Sequence, residues 1–479
     1  MLYNYLEFIV VGIGLALLLW ESFASPKNKT SLALVGTLGL TAVFALLVLG
    51  SSCPSTCNTE APAWMARFYS NDGFAPFFKG FALISTILVL LMSIDFQKVL
   101  NKFTSPDGSD ENMGEFYCLP IFACAGLMWM ASATDLVSIF VALELVTISF
   151  YVMVTYMRRN VGSLEAGAKY LILGALSTGF LVYGIAWIYG ATGTTAIADL
   201  NIDANAGSAL MFGLAMVIIS LGFKVGAAPM QLWIPDVYQG APTPITSFLS
   251  VASKAAGFGV AITILKPFLA AESTSATVAL ILAVMAGVTL LYGNLAALAQ
   301  SNLKRLLAYS SIAHAGFLLI GLATANYSAV LFYLATYLIM TFAAFFVLSL
   351  VRSAEDSDEI DALNGLSKRN PLLALALTLI MAAMAGVPLT AGFIGKFLMF
   401  ESAMANIATV GWTVIVIAFL GAISGFYYYF KVIKAIYWHD AINTNAINVP
   451  VISKIAIALL CIGILVFGIY PQPIYCFIQ

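Results

Sequence analysis

LGFKVGAAPMQLWIPDVYQGAPTPITSFLSVASKAAGF, residues 221–258, is the stretch that decides the fold. It begins and ends in apolar, helix-like sequence and carries Lys224 and Lys254, but its middle holds the helix breakers Pro229, Pro235, Gly240, Pro242 and Pro244. Each proline inside a helix removes a backbone donor and costs about 3 kcal/mol. Broken backbone at membrane depth is tolerated only where protein buries it or where it lines a water-filled cavity. Because interrupted helices with buried charges are typical of transporters and ion pumps, this stretch predicts an ion path.

The composition predicts a membrane protein. The 479 residues are 61% hydrophobic and 9% charged, and the mean hydropathy is +0.97. Soluble domains carry about 25% charged residues. The net charge of -2 gives no indication of nucleic-acid binding. Residues 2–20 lack a basic leader and a small-residue cleavage site, so we expect them to be a retained span rather than a secretory signal.

About fourteen apolar runs are long enough to cross a bilayer, at about 20 residues each. We therefore expect an all-α polytopic membrane protein. The runs are residues 2–20, 32–50, 74–94, 116–130, 136–157, 166–189, 209–228, 245–265, 278–299, 306–323, 329–350, 372–403, 410–436 and 455–469.

The distribution of Lys and Arg predicts the orientation in the membrane. One set of alternate loops holds most of these residues, whereas the opposite set holds little beyond Arg67, Lys79 and Lys266. Both termini are therefore expected on the non-cytoplasmic side, together with the loop 51–72. That loop contains Cys53 and Cys57, which could form a disulfide or remain two unpaired thiols.

The span 372–403 repeats the irregularity of the central stretch. Gly386, Pro388 and Gly392 interrupt it, and Lys396 follows. The two interrupted spans are the seventh and the twelfth, so they are five spans apart. Because five is an odd number, the two units that contain them would cross the membrane in opposite directions, as in the inverted repeats of transporters. We expect a three-helix segment over 1–115, repeats over 116–268 and 276–437, and a C-terminal helix over 450–479. The alternative is coincidence, because Gly and Pro are common in membrane helices.

Ionisable residues inside the spans are the candidate functional residues, because a charge at the bilayer centre costs about 2.5–3.5 kcal/mol. Glu144 lies in LVSIFVALELVTISFYVMV and is expected within direct or one-water reach of Lys224, although it could merely join two helices. Lys254 and Lys396 are further proton carriers, or lysines whose ammonium groups reach an interface. His314, in YSSIAHAG, either belongs to the path or is a hydrogen-bonded packing residue.

Three stretches of the chain resemble the subunit N family of bacterial proton-pumping NADH:quinone oxidoreductases, respiratory complex I. They are LWIPDVYQGAPTPITSFLSVASKAAGF (232–258), YSSIAHAG (309–316) and GVPLTAGFIGKFLMF (386–400). The resemblance is good over about residues 116–437. It implies fourteen helices, two inverted five-helix repeats and a proton path through Glu144, Lys224, Lys254 and Lys396. It also implies a place in the bacterial inner membrane beside other membrane-arm subunits, including sister antiporter-like subunits, with lipid, protons and internal water as further partners.

Two details refine the resemblance. The sister subunits usually carry Pro-Asp-Ala-His where this chain has Pro235, Asp236, Val237 and Tyr238. The family often has histidine where this chain has Gln231, and a glutamine orders water but does not titrate.

Two other function classes stay open, namely a stand-alone or Mrp-type cation/proton antiporter subunit and a scaffold whose charges only hold helices together. The chain has neither a dinucleotide fingerprint nor a ligand-spaced cysteine set. We therefore expect no cofactor in this chain, and we expect FMN, iron–sulfur clusters and quinone in partner subunits.

Overall fold

The structure, a computed structural model, describes residues 2–24, 29–51, 62, 64–71, 73–105, 113–441 and 446–478. Within these residues the chain is almost entirely helical and forms isolated bridges but no strand. The predicted all-α fold is confirmed. Cys53 and Cys57 lie outside the described residues, so their disulfide stays a prediction.

The first ten α-helices begin after a short 3₁₀ turn, Leu2–Tyr5. They are α1 (Leu6–Ala24), α2 (Thr30–Ser51), α3 (Ala75–Thr104), α4 (Met113–Ser132), α5 (Leu136–Val154), α6 (Val161–Thr192), α7 (Ser208–Val225), α8 (Ile234–Gly240), α9 (Thr243–Phe248) and α10 (Lys254–Ala270). A π-helical turn, Leu249–Ser253, joins α9 to α10.

Nine more helices complete the described chain. They are α11 (Ser275–Leu298), α12 (Leu303–Ala323), α13 (Tyr327–Glu355), α14 (Leu366–Arg369), α15 (Pro371–Ala385), α16 (Ala391–Ala405), α17 (Ile407–Trp438), α18 (Val451–Ile469) and α19 (Gln472–Ile478).

Both predicted helix breaks are present. Helix α7 ends at Val225, because Gly226 takes a φ of 81°, a left-handed conformation that glycine adopts without steric cost. A cis peptide bond precedes Pro229, and a 3₁₀ turn, Gln231–Trp233, leads into α8. Helix α15 ends in the same way at Gly386, whose φ is 93°, and its N–H bonds back to the last turn as a left-handed C-cap does.

Thirteen helices among the described residues are long and apolar enough to cross a membrane. Helix α15, with 15 residues, is shorter, and α15 and α16 together occupy the place of the twelfth predicted span, residues 372–403. The largest boundary difference is in α3, which runs 30 residues to Thr104 although its apolar run ends near residue 94. The charged continuation stays helical because it contains neither Gly nor Pro before Ser105.

The described residues fall into two compact units. The first comprises Met1–Val225 and Gly240–Ser275. In it α6 packs along α7, and α10 packs against α3, α4 and α7, so the N-terminal three helices belong to this unit. The second comprises Gly226–Gln239 and Ala276–Gln479. In it α13 packs against α16 and α18, and α12 against α16 and α17. The inverted relation of two five-helix repeats stays a prediction.

Candidate functional site

Lys224 lies in the last turn of α7, directly before the helix break. The apolar sequence around it buries the side chain, which is 6% exposed. Its Nζ donates a hydrogen bond of 2.8 Å to the Thr147 hydroxyl on α5. This hydroxyl in turn donates to the Leu143 carbonyl at 2.7 Å, which fixes its lone pairs towards the ammonium group. The lysine is therefore held inside the first unit by a neutral partner.

Glu144 lies one turn before Thr147 on α5, so both side chains are on the same helix face. Its carboxylate accepts a hydrogen bond of 2.7 Å from the Thr178 hydroxyl on α6. Both Glu144 and Lys224 are described, and no ion pair within 4.0 Å joins them. Of the two arrangements expected from the sequence, direct or one-water reach, the direct contact is not formed; Thr147 bonds Lys224 and Thr178 bonds Glu144. A one-water bridge stays a prediction.

Lys254 is the first residue of α10 and follows the π-helical turn; its side chain is 2% exposed. One turn further, Gly257 allows α10 to approach α7, since a Cβ atom there would lie 3.3 Å from Lys224 Cγ. Lys224 therefore lies at the interface between α7 and α10, and Lys254 lies one turn before Gly257 on the same face of α10. The π-helical turns found inside α-helices are frequent at functional sites.

Lys396 is buried on α16 at the second helix break. Its Nζ donates hydrogen bonds of 2.8 Å to the carbonyls of Met384 and Ala385, the last residues of α15. These carbonyls have no partner within their own helix, and the C-terminal end of the helix dipole attracts a cation. The ammonium group is thus bonded to the end of its own broken helix, and both interpretations of Lys396, proton carrier or lysine that reaches an interface, stay predictions.

His314 is buried on α12 between two tyrosine hydroxyls. Its Nδ1 bonds the Tyr333 hydroxyl at 2.7 Å, and its Nε2 bonds the Tyr429 hydroxyl at 3.2 Å. The Tyr429 hydroxyl also bonds the Ser310 hydroxyl. Because both ring nitrogens have hydroxyl partners, a proton can reach one nitrogen while another leaves the second. The four side chains form a hydroxyl–imidazole chain inside the second unit.

Tyr337 and Tyr428 of the second unit pack beside this hydroxyl–imidazole chain, and neither was predicted from the sequence. Tyr337 donates to the Ser311 hydroxyl at 2.9 Å, and Tyr428 donates to the Asn294 side chain at 3.2 Å. The buried amide oxygen of Gln231, in the same unit, has no hydrogen-bond partner among the described residues. A buried carbonyl of this kind is satisfied by ordered water, which fits a glutamine that orients water.

A buried ion pair in the first unit was also missed. Lys79 on α3 and Glu7 on α1 lie 2.6 Å apart, with side chains that are 1% and 2% exposed. The Tyr69 hydroxyl contacts both carboxylate oxygens, at 3.2 and 3.0 Å, and Lys79 donates to this hydroxyl at 2.9 Å. Burial, and next to it the Glu7 charge, raises the pKa of Tyr69 well above its ordinary value, so the phenol keeps its proton.

The distribution of Lys and Arg counts Lys79 as a loop charge, but this residue lies within helix α3. A lysine inside the apolar run FAPFFKGFALIS meets the criterion that identified Glu144. Within the described part of the chain, no group of three or more His, Cys, Asp or Glu could hold a metal ion.

Residues 133–423 match the protein family described as "NADH:quinone oxidoreductase/Mrp antiporter, TM". NADH-quinone oxidoreductase subunit N of Heliobacterium modesticaldum is 39% identical over 90% of this chain and 87% of its own length. The protein of the same name from Anoxybacillus flavithermus is 34% identical over 98% of this chain and 95% of its own length. The chain belongs to the subunit N family. The resemblance inferred from the sequence motifs is confirmed, and members of this family are membrane subunits of an oxidoreductase complex.

Chains of three solved membrane complexes share the fold of this chain. A chain of respiratory complex I from Thermus thermophilus has a TM-score of 0.81 at 32% identity and covers 98% of both chains. A chain of the archaeal membrane-bound sulfane sulfur reductase has a TM-score of 0.86 at 25% identity and covers 99% of this chain and 96% of that one. A chain of the Mrp complex from Dietzia shares the fold, with a TM-score of 0.82 at 18% identity.

Proposed function

We propose that this chain is a proton-translocating membrane-arm subunit of NADH:quinone oxidoreductase. Protons move along Glu144, Lys224, Lys254, His314 and Lys396 and through internal water, and redox chemistry in other subunits drives them. The observation that carries the proposal is that each of the two broken helices has a buried lysine at its break. Lys224 lies one residue before the end of α7, and Lys396 bonds the end of α15.

The first step of the path follows from the hydroxyl contacts around Lys224. Its ammonium group bonds Thr147, one turn from Glu144, and side chains at this spacing on a helix have Cβ atoms about 5–6 Å apart. For any two opposite charges about 6 Å apart, the attraction at an effective dielectric of 20 is about 3 kcal/mol. Moving the carboxylate away from the lysine by a few ångströms weakens this attraction and favours release of the lysine proton. Lys254, across the α7–α10 interface, is the next acceptor.

The redox groups belong to partner subunits in this proposal. FMN, iron–sulfur clusters and quinone react there, and this chain contributes no cofactor site. The partners include the sister antiporter-like subunits, in the bacterial inner membrane, with both termini of this chain on the non-cytoplasmic side.

The test is NADH-driven proton uptake by vesicles that contain the assembled complex. Glu144→Gln keeps the shape of the side chain and removes its charge, so proton uptake should fall severely while the complex still assembles. Glu165→Gln on α6 is the matched control, because Glu165 is 62% exposed and pairs with Lys169 at 2.7 Å on the helix surface. Normal pumping by Glu144→Gln would show that this residue only joins helices.

An Mrp-type cation/proton antiporter subunit is the second candidate, because the matching family includes the Mrp antiporters by its description. The two functions differ in their driving force. Sodium or potassium gradients should drive proton movement in vesicles without NADH only if the chain is an antiporter.

A further inference from the structure

We propose that Phe317 is a hydrophobic gate between the His314–Tyr333 pair and Lys396. This inference rests on the proposed function, since a gate has a role only if protons pass along these residues. Phe317 lies on α12 one turn after His314, and its side chain is 3% exposed. No chemistry is assigned to the phenyl ring itself; it decides whether water can join two polar groups.

The ring contacts both groups that it would separate. It stacks on the Tyr333 ring with centroids 6.3 Å apart and planes inclined by 26°. The Lys396 ammonium lies 5.8 Å from the centroid of the same ring. Tyr333 holds His314 through its hydroxyl, whereas Lys396 is bonded to the carbonyls that end α15. Phe317 therefore contacts both the hydroxyl–imidazole chain and the lysine.

Apolar side chains continue the barrier between α12 and α16. Phe317 packs edge-on against Phe400, with centroids 5.9 Å apart. One turn further, Gly321 faces Met399, whose Sδ would lie 3.0 Å from a Cβ at the glycine. An apolar layer of this kind excludes water, and moving a charge through it without water is costly. Proton transfer between His314 and Lys396 therefore requires the ring to move.

Lys396 has the donors that an open gate would use. An ammonium group has three N–H donors, and two of them bond the α15 carbonyls. With the ring displaced, the third donor and the Tyr333 hydroxyl would line one space. A water needs two to four polar partners, so such a space would hydrate, unlike a cavity lined only by hydrocarbon. The ring thus keeps the lysine and the hydroxyl–imidazole chain apart until it moves.

The experiment measures passive proton entry into proteoliposomes that contain the assembled complex, without NADH, under a potassium diffusion potential. Phe317→Ala should raise proton entry at least about tenfold, which corresponds to about 1.4 kcal/mol of barrier. Phe332→Ala is the matched control, because Phe332 is a buried phenylalanine of α13 that stacks on Tyr475 instead. If the alanine variant does not assemble, Phe317→Val should show an intermediate leak.

A second experiment distinguishes a gate on the route to Lys396 from a nonspecific leak through the cavity that Phe317→Ala creates. Combining Phe317→Ala with Lys396→Ala should return proton entry to the level of Phe332→Ala, because the opened route passes through the lysine. The gate is refuted if Phe317→Ala leaks no more than Phe332→Ala, or if the leak persists without Lys396. Either result leaves the proposed function standing as long as Glu144→Gln fails to pump, whereas normal pumping by Glu144→Gln refutes the path itself.

Discussion

Removing one charge of the Glu7–Lys79 pair is expected to destabilise the first unit. Removing both charges should lower the free energy of unfolding much less. At 2.6 Å and an effective dielectric of 20, the attraction between the two groups is about 6 kcal/mol, which offsets a desolvation cost of several kcal/mol for each ion. Breaking a buried pair on one side leaves an uncompensated charge and typically costs about 3–5 kcal/mol. Replacing both partners by uncharged residues of similar volume is often close to neutral.

The surrounding polar groups do not rescue a single substitution. In Glu7→Gln the Lys79 ammonium keeps the Tyr69 hydroxyl and the Asn71 side-chain oxygen as partners, but it has no counter-charge among its contacts in the described residues. In Lys79→Met the carboxylate keeps only the Tyr69 hydroxyl of its two direct partners. A loss of about 3–5 kcal/mol lowers the unfolding midpoint by about 6–10 °C, at about 2 °C per kcal/mol.

The assay is the fraction of this subunit that stays soluble when the detergent-solubilised complex is heated, measured for Glu7→Gln, Lys79→Met and the double variant. Lys169→Met is the control, because its surface pair should contribute about 1 kcal/mol or less. The double variant should melt at a higher temperature than either single variant. Additive midpoint shifts from the two single substitutions would refute the reasoning, since they would mean that the two charges do not interact.

Three further outcomes concern proton uptake driven by NADH in the assembled complex. Lys254→Arg should abolish pumping, because a guanidinium does not release its proton near neutral pH; pumping at the normal rate would mean that Lys254 supplies only fixed charge. Gln231→Ala should reduce proton uptake only slightly, since glutamine only orients water. A severe loss of proton uptake would mean that this side chain is an essential part of the path. Tyr429→Phe removes the hydroxyl between His314 and Ser310 and should slow pumping about tenfold or more; an unchanged rate would exclude the hydroxyl–imidazole chain.

The helix breaks could be predicted because their causes are local. Gly386 and Pro388 were predicted breakers, and Gly386 ends α15 through a backbone conformation that glycine adopts readily. The first break was expected from Pro229, which prevents continuation. Helix α7 ends three residues earlier, before Gly226, because this glycine takes the same conformation. The burial of Lys224, Lys254 and Lys396 could be predicted for a related reason. A long apolar run forces the span across the membrane, and any charge within the run is buried with it.

The partners of these charges could not be predicted, because partner choice depends on tertiary packing. Thr147 and Thr178 have ordinary positions in apolar helices, yet their hydroxyls bond Lys224 and Glu144, where a direct contact was one of two expected arrangements. Tyr333 and Tyr429 likewise look like ordinary packing residues in the sequence, because only tertiary packing brings their hydroxyls to His314.

The bond between Lys396 and the end of α15 links electrical charge to the length of a helix. A protonated lysine ties down two carbonyls that the helix cannot satisfy internally, whereas a lysine that has released its proton no longer offers a charged donor to them. Each passage of a proton would therefore loosen and then restore the last turn of α15. By the reciprocity of coupled equilibria, a mechanical pull that unwinds this turn would also expel the proton. In the proposed proton path, the second break would thus convert movement into charge transfer through a single side chain.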